Sequence, residues 1–342
     1  MSRTGAPTAP RDLALGEAIR QVMSAAGARE LFGVHQPERR YRQLARALHP
    51  DRVPAADRPQ ATDAFVRLTS LWRERRGVVI RSRHDEYRLT DRRYAGDLAD
   101  LYDVGADRLL KLPRQPANND LMGREAYALR TLALALAENS RYLPYVPRLV
   151  DSFRLEDTAT GARRLVNVVS AAPGLHSLAE VRRAYPDGVD PRDVAWMWRR
   201  LLVALGFAHR AGFVHGAVLP DHVLIEPTGH GLVLIDWCYS ADLDTGMGGD
   251  RIPAMVPQYA AWYPAEVSGR QDPGPGTDLA MASRCMTWLM GERAPQPLRR
   301  FAAGCQLDPM SHRPNDAWRL LAELDELLER LFGPRRFRPF TL

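Results

Sequence analysis

The sequence predicts an α+β protein in two parts: a small all-helical domain, then a larger body that is strand-rich in its first half and helical in its second. Three observations carry this. Residues 12–76 place apolar side chains at helical spacing. At Gly77 the pattern changes to short β-like runs bounded by turn residues. From Pro191 onward helical spacing returns, broken only by VLIEP and GLVLID. The chain has 342 residues, enough for one large domain or two ordinary ones with a sizeable core.

Residues 1–11 read as a flexible tail of small residues and proline. Over 12–26, Leu13, Ala18, Ile19, Val22 and Met23 share one helical face. Pro37 is placed to open a second helix over 38–48, with Tyr41, Leu44, Ala45 and Leu48 as its apolar side. A third helix over 60–75 carries Ala64, Phe65, Leu68, Leu71 and Trp72. VVIRS, YRLTD, LADLYDV and RLLKLP follow as strands, then a long helix at about 119–138, then the strand-like PRLVDSF and RLVNVVS. There is no internal repeat, and QDPGPGTD (271–278) reads as a turn-rich loop.

Composition excludes several classes. Hydrophobic residues make up 45% and charged residues 26%, which suits a globular chain and not a disordered one. No apolar run approaches the ~20 residues of a membrane helix, and the first residues lack the apolar core of a secretory leader. Cys238, Cys285 and Cys305 lie far apart without CxxC spacing, which speaks against a disulfide scaffold or zinc site. A cytoplasmic setting is expected. The net charge is +6, but the basic residues are spread along the chain without a nucleic-acid motif, so no specific nucleic acid is expected as a partner. Of the 47 basic residues only Lys111 is lysine. Lineage bias accounts for the arginines; it does not account for the one place where a compact point charge is kept.

His49, Pro50 and Asp51 follow a basic helix in YRQLARALHPDR. Arg39, Arg40, Arg42 and Arg46 put positive charge on its solvent side, opposite Tyr41 and Leu44, and such a patch steers an acidic partner. This stretch resembles the second helix and loop of a J domain of the DnaJ family. LFGV (31–34) and ATDAFVRLTSLW (61–72) are similar to the segments that flank that loop, and the resemblance spans about residues 17–76. It implies a DnaK-type chaperone as partner, with His49, Pro50, Asp51, Arg39, Arg42 and Arg46 as the contact residues. The short fourth helix of the family is missing, because strands begin directly after the third.

A second constellation runs from about 77 to 332. Lys111 lies on RLLKLP, and Glu125 lies fourteen residues later on a helix. FVHGAVLPDHVLIEPTGHGLVLIDW (213–237) joins His-Gly to a strand pair ending in Asp236. YPAEV (263–267) offers Glu266 to Arg313 of SHRPNDAW, and Asp278 opens an apolar helix. Together these resemble a protein kinase. The resemblance implies two lobes, about 77–168 and 173–332, with a hinge near 169–173 and ATP between them. Lys111 would hold phosphates and pair with Glu125, Asp236 would bind metal, and Asp278 would hold the catalytic loop through its backbone amides.

The departures decide the chemistry that the resemblance implies. In YAGDLADL (94–101) only Gly96 of three glycines is kept; Tyr94 and Ala99 stand at the other two. Ala217 stands where the catalytic Asp belongs, His222 replaces the metal-binding Asn, and Trp237 and Cys238 follow Asp236. A positioned acid or base is worth roughly 10²–10⁴-fold, and alanine cannot supply it. Asp221 could serve only in a remodelled loop. Magnesium prefers oxygen to imidazole, so one ion on Asp236 is expected and not two. Only 47 residues separate Glu266 from Arg313, which leaves little room for the helix with which the family docks protein substrates.

Three functions follow from these residues. The first is a J-domain co-chaperone or adaptor with a nucleotide-binding pseudokinase, holding ATP and Mg²⁺ at Lys111, Glu125, Gly96, Asp236 and His222, and an unidentified client. The second is an active Ser/Thr kinase. The third is a scaffold without nucleotide.

Overall fold

The computed structural model describes residues 13–33, 37–76, 78–89, 92–105, 107–156, 161–171, 174–244 and 250–342. The expected tail over 1–11 and the hinge residues 172 and 173 lie outside them. The chain divides into two compact units, Met1–Arg92 and Arg93–Leu342.

The first unit holds α1 (Leu15–Ser24), α2 (Ala28–Phe32), α3 (Pro37–Leu48) and α4 (Arg58–Arg76). Ala18, Val22, Leu44, Leu48, Ala64 and Leu68 are wholly buried and form its core. Tyr41 stacks on Trp72 with ring centroids 4.5 Å apart, and Phe32 meets Trp72 edge-on at 5.1 Å. Arg67 of α4 donates to Val22 O at 3.0 Å and Ala25 O at 2.7 Å, satisfying carbonyls at the end of α1 that the helix itself leaves open. Strands β1 (Val78–Arg81) and β2 (Glu86–Leu89) pair with each other, Val78 opposite Leu89. They belong to the first compact unit, whereas the change of pattern at residue 77 had placed them at the start of the second.

The second unit begins with a five-stranded sheet in the order β3-β4-β5-β7-β6. Its strands are β3 (Arg92–Ala95), β4 (Ala99–Asp103), β5 (Arg108–Pro113), β6 (Leu149–Glu156) and β7 (Arg163–Ser170). Helix α5 (Asn119–Glu138) connects β5 to the following strands and buries Met122, Ala126, Leu129, Leu132 and Leu136, residues spaced three and four apart. A short β8 (His176–Ser177) leads into α6 (Leu178–Ala184), which is opened by a reciprocal cap between Ser177 and Glu180.

Helix α7 (Pro191–Arg210) starts with proline in its first turn and Asp190 as its cap. Then come β9 (Phe213–Val214), the hairpin β10 (Val223–Glu226) and β11 (Gly231–Leu234), and β12 (Ala241–Asp242), which pairs with β9. Helices α8 (Ala265–Ser268), α9 (Pro275–Met290), α10 (Gln296–Gly304) and α11 (Ala317–Phe332) complete the unit. α9 is buried almost all round, including Leu279, Met281, Ala282, Met286 and Leu289, and so forms the middle of the helical half.

The helical half extends past residue 332. Phe340 stacks on Tyr185 at 5.5 Å and is buried, and Tyr185 Oη donates to Thr341 O at 2.6 Å. His230 is sandwiched between Trp196 at 4.2 Å and Phe337 at 4.4 Å. Among the described residues no helix is long and apolar enough to cross a membrane.

Candidate functional site

The site is built on the central strands of the five-stranded sheet. In β5, Lys111 stands in register with Leu101 of β4 and Asn167 of β7. Strand alternation sends Leu110 and Lys111 to opposite faces. α5 lies across the Lys111 face, and Lys111 Nζ donates to Glu125 Oε1 at 2.6 Å. Lys111 also donates to Asp236 Oδ1, from the loop after β11. The free oxygen of Glu125 accepts from Asn167 Nδ2 at 3.0 Å, which also reaches Met122 O at 2.8 Å. Asn167 Oδ1 accepts from Ser152 Oγ at 2.9 Å. A buried polar network of this kind is stable because every member is satisfied. Burial opposes the ammonium of Lys111, but Asp236 and then Glu125 outweigh it and hold the lysine charged.

Asp236 sits in the left-handed region at φ 64°, a costly conformation for a residue with a side chain, and one that collects at functional sites. Its Oδ1 accepts from Lys111, and its Oδ2 lies 3.2 Å from His222 Nε2. The other ring nitrogen of His222 donates to Ala217 O at 2.9 Å. Burial alone would raise the Asp236 carboxyl; Lys111 and then His222 reverse this and hold it far below the usual carboxylate range.

The loop before β10 is fixed from below. Asp278 of α9 accepts from His215 N at 2.8 Å, from Gly216 N at 2.9 Å and from His209 Nε2 at 2.9 Å. His215 Nε2 donates to Ile235 O at 2.8 Å, and its Nδ1 accepts from Ala217 N at 3.3 Å, so the ring is neutral. Burial lowers its pKa to about 4. Gly216 has φ 76°, and a Cβ there would meet Tyr239 O at 2.5 Å and Ile252 Cγ1 at 2.9 Å. Ala217 is wholly buried, with its carbonyl held by His222. Asp221, the nearest carboxylate along the loop, accepts from Tyr259 Oη at 2.6 Å.

Above this polar floor lies a cavity of about 230 Å³ between the sheet and the β10–β11 hairpin. Leu101, Leu109, Val169, Leu224, Val233 and Ile235 wall it, and Lys111 and Asp236 close one end. The strap after β7 passes at Ser170 and Ala171, where Ala171 N donates to Asp107 O at 2.8 Å. The β3–β4 turn overhangs a smaller recess that also contains Lys111 and Asp236. Gly96 N closes that turn on Ala99 O at 2.9 Å, and a Cβ at Gly96 would stand 3.0 Å from the same oxygen. Beside it, the Asp97 carboxyl is raised by burial and by Asp236 and Asp221, partly offset by His222.

The segment after Asp236 is tied to α5. Arg124 Nη1 donates to Ser240 O at 3.0 Å and pairs with Asp250, and Tyr127 Oη donates to Asp242 Oδ2 at 2.7 Å. Trp237 is fully buried, its Nε1 donating to Leu234 O at 2.9 Å. Farther down, Arg313 Nη1 reaches Glu266 Oε1 at 2.7 Å, both buried, and ties α8 to the segment before α11.

No protein-family model matches the chain. Citron Rho-interacting kinase from Homo sapiens is 26% identical over 149 residues, 43% of this chain and 7% of that protein. The same kinase from Rattus norvegicus is 27% identical over 118 residues, 34% of this chain and 5% of its own length. Casein kinase II subunit alpha' of Saccharomyces cerevisiae is 40% identical over 58 residues, 17% of each protein. The chain thus spans only a small part of the curated relatives it matches. Among solved structures, vaccinia related kinase 3 aligns with a TM-score of 0.57 at 16% identity, over 75% of this chain and 91% of that one. The Mycobacterium tuberculosis PknI kinase domain aligns at 0.51 and 16% identity, over 70% and 94%. The chain carries a protein-kinase-like fold. The five-stranded sheet with α5 is its small lobe, the helices from α6 onward are its large lobe, and the cavity lies between them.

The kinase-like cleft brings Lys111, Glu125, Asp236, His222, Ala217 and Gly96 together. The residues that the sequence offers as chaperone contacts lie in the first unit. His49, Pro50 and Asp51 form a turn between α3 and α4, in which His49 Nδ1 accepts from Asp51 N at 3.3 Å and the ring packs edge-on to Phe65. Asp51 is exposed, with 88% of its side chain accessible. Arg39, Arg42 and Arg46 are exposed and, at spacings of three and four, share one stripe of α3. Arg40 does not share it: it is half-buried and donates to Gln21 of α1.

Four residues of the kinase-like cleft escaped the sequence reading: Asn167, Ser152, Asp97 and Tyr259. Asn167 had a usable signal, a lone amide inside the apolar run LVNVV. Ser152 is set by its partner on the next strand, Asn167, whereas Asp97 and Tyr259 depend on groups more distant in the chain.

Proposed function

We propose that the chain is a co-chaperone-like adaptor. Its first unit engages a DnaK-type chaperone through His49-Pro50-Asp51 and the Arg39/Arg42/Arg46 stripe. Its kinase-like unit binds a nucleotide without transferring phosphate. A cytoplasmic setting goes with that partner.

The observation that carries the silent-kinase reading is the floor of the cleft. A buried methyl, Ala217, stands where a substrate hydroxyl needs a carboxylate. Asp221 would have to leave Tyr259 to take that role. The residues present fit the ring and sugar of a nucleotide, because the cavity walls are apolar and Lys111 supplies a cation at one end. They do not fit a pair of magnesium ions. Both oxygens of Asp236 already face cationic or imidazole nitrogens, and the second ligand is a histidine nitrogen where magnesium prefers oxygen. A bound nucleotide would place its charge at Lys111. A scaffold that takes no nucleotide draws support from the same network, since Lys111 already holds two carboxylates.

The test has two arms. In the first, the full chain is added to a DnaK-type chaperone and ATP turnover is followed. Stimulation that His49→Gln abolishes is expected, and none at micromolar chain would defeat the chaperone reading. In the second, thermal unfolding is followed with and without ATP. Ligand at ~100 times its dissociation constant adds about 2.7 kcal/mol and lifts the midpoint by a few degrees. No lift at millimolar ATP would favour the scaffold.

A further inference from the structure

The large lobe carries a second cavity, remote in sequence from Lys111 and Asp236. It measures about 400 Å³ and lies among the first turns of α7, the end of α11 and the tail after it. Arg192, Arg199, Arg335, Arg336 and Arg338 line it, with Phe332 at its edge. Arginine is frequent in this chain, 46 residues of 342, but that frequency places one or two in such a lining and not five.

Three of the five have structural work. Arg192 Nη2 pairs with Asp190 at 2.7 Å, Arg338 Nε with Asp193 at 3.1 Å, and Arg199 with Asp325. These ion pairs hold the tail and the start of α7. Arg335 and Arg336 do not take part: both are exposed, and among the described residues neither has an ion-pair partner. The cavity therefore gathers more positive charge than its three carboxylates offset. Its cations are planar forks that match a tetrahedral oxyanion, and the tail that carries three of them is anchored by Phe337 and Phe340.

We infer that this cavity is a binding site for a terminal phosphate group, held by Arg335 and Arg336 with Arg192 and Arg199 behind them. A phosphorylated side chain of a partner protein and a free polyphosphate share that chemistry. A recess of about 400 Å³ suits one such group, whereas a nucleic-acid backbone needs an extended track of charge.

The full chain is titrated calorimetrically with three probes: a phosphoserine pentapeptide without other charges, its unphosphorylated form, and inorganic tripolyphosphate. Saturable binding of a phosphorylated probe at one site per chain, weakening with salt, is expected. The paired substitution Arg335→Ala and Arg336→Ala should weaken it at least tenfold while the unfolding midpoint stays unchanged. Tripolyphosphate binding with no peptide binding would assign the site to free phosphates. Equal affinity in wild type and the Ala pair, or no binding at millimolar probe, would overturn the inference. So would a single-stranded DNA 12-mer that binds more tightly than either phosphate probe and is lost in the same variant, because the arginines would then form a nucleic-acid surface.

Discussion

At position 111 the chain uses its single lysine, and the structure shows what depends on it: Glu125 and Asp236 both pair with its one ammonium. Removing it leaves two carboxylates facing each other in a buried site. Lys111→Ala should therefore destabilise the protein by about 3–5 kcal/mol in chemical denaturation, as well as cancel any stabilisation by ATP. His215 gives a pH signature. Its folded pKa of about 4 lies below the ordinary 6.5, so the unfolded chain binds more protons between these values. The associated stability is full above pH 6.5 and is lost as pH falls towards 4, by about 3 kcal/mol. A flat stability profile across that window would contradict a neutral buried His215. Lys111, Glu125 and Asp236 were legible in the sequence because each stands in a recognisable local pattern. Asp97 and Tyr259 were not, because what matters about them is a group far away in the chain: the charges of His222 and Asp236 for the one, a hydrogen bond to Asp221 for the other.

The elements that position the site are held by a few close approaches. Gly216→Ala forces a Cβ into Tyr239 O and Ile252 at a positive φ, and should cost about 1–3 kcal/mol, read from the shift in denaturation midpoint. Gly304→Ala, at the end of α10 with open space around it, is the matched control and should be neutral or slightly stabilising. The Glu266–Arg313 pair links α8 to the segment before α11. Arg313→Ala should cost about 3–5 kcal/mol, because it strands a buried carboxylate. The long amphipathic elements were readable from periodicity: α5 occupies the residues its spacing indicated. The β1–β2 hairpin was readable as strands, but its membership was not, since pairing within the hairpin leaves no mark on either strand's composition. The tail over 333–342 was missed because its anchoring by Phe337 and Phe340 depends on partners more than a hundred residues away in the chain, His230, Trp196 and Tyr185.

At the scale of the whole molecule, two units with different chemistry share one chain: an exposed His-Pro-Asp turn beside a basic stripe, and a kinase-like cleft whose acidic floor is paired internally. In the adaptor reading the two act separately in assay. His49→Gln should abolish chaperone stimulation and leave the ATP-dependent rise in unfolding midpoint intact, whereas Lys111→Ala should do the reverse. A single substitution that removed both would contradict that division. The central claim, that the kinase-like unit does not transfer phosphate, is tested most directly with γ-labelled ATP, magnesium and a generic protein substrate, comparing the wild-type chain with Asp236→Ala. The account predicts incorporation at background in both. Robust incorporation by the wild type that disappears in Asp236→Ala would contradict it and make the chain a working kinase.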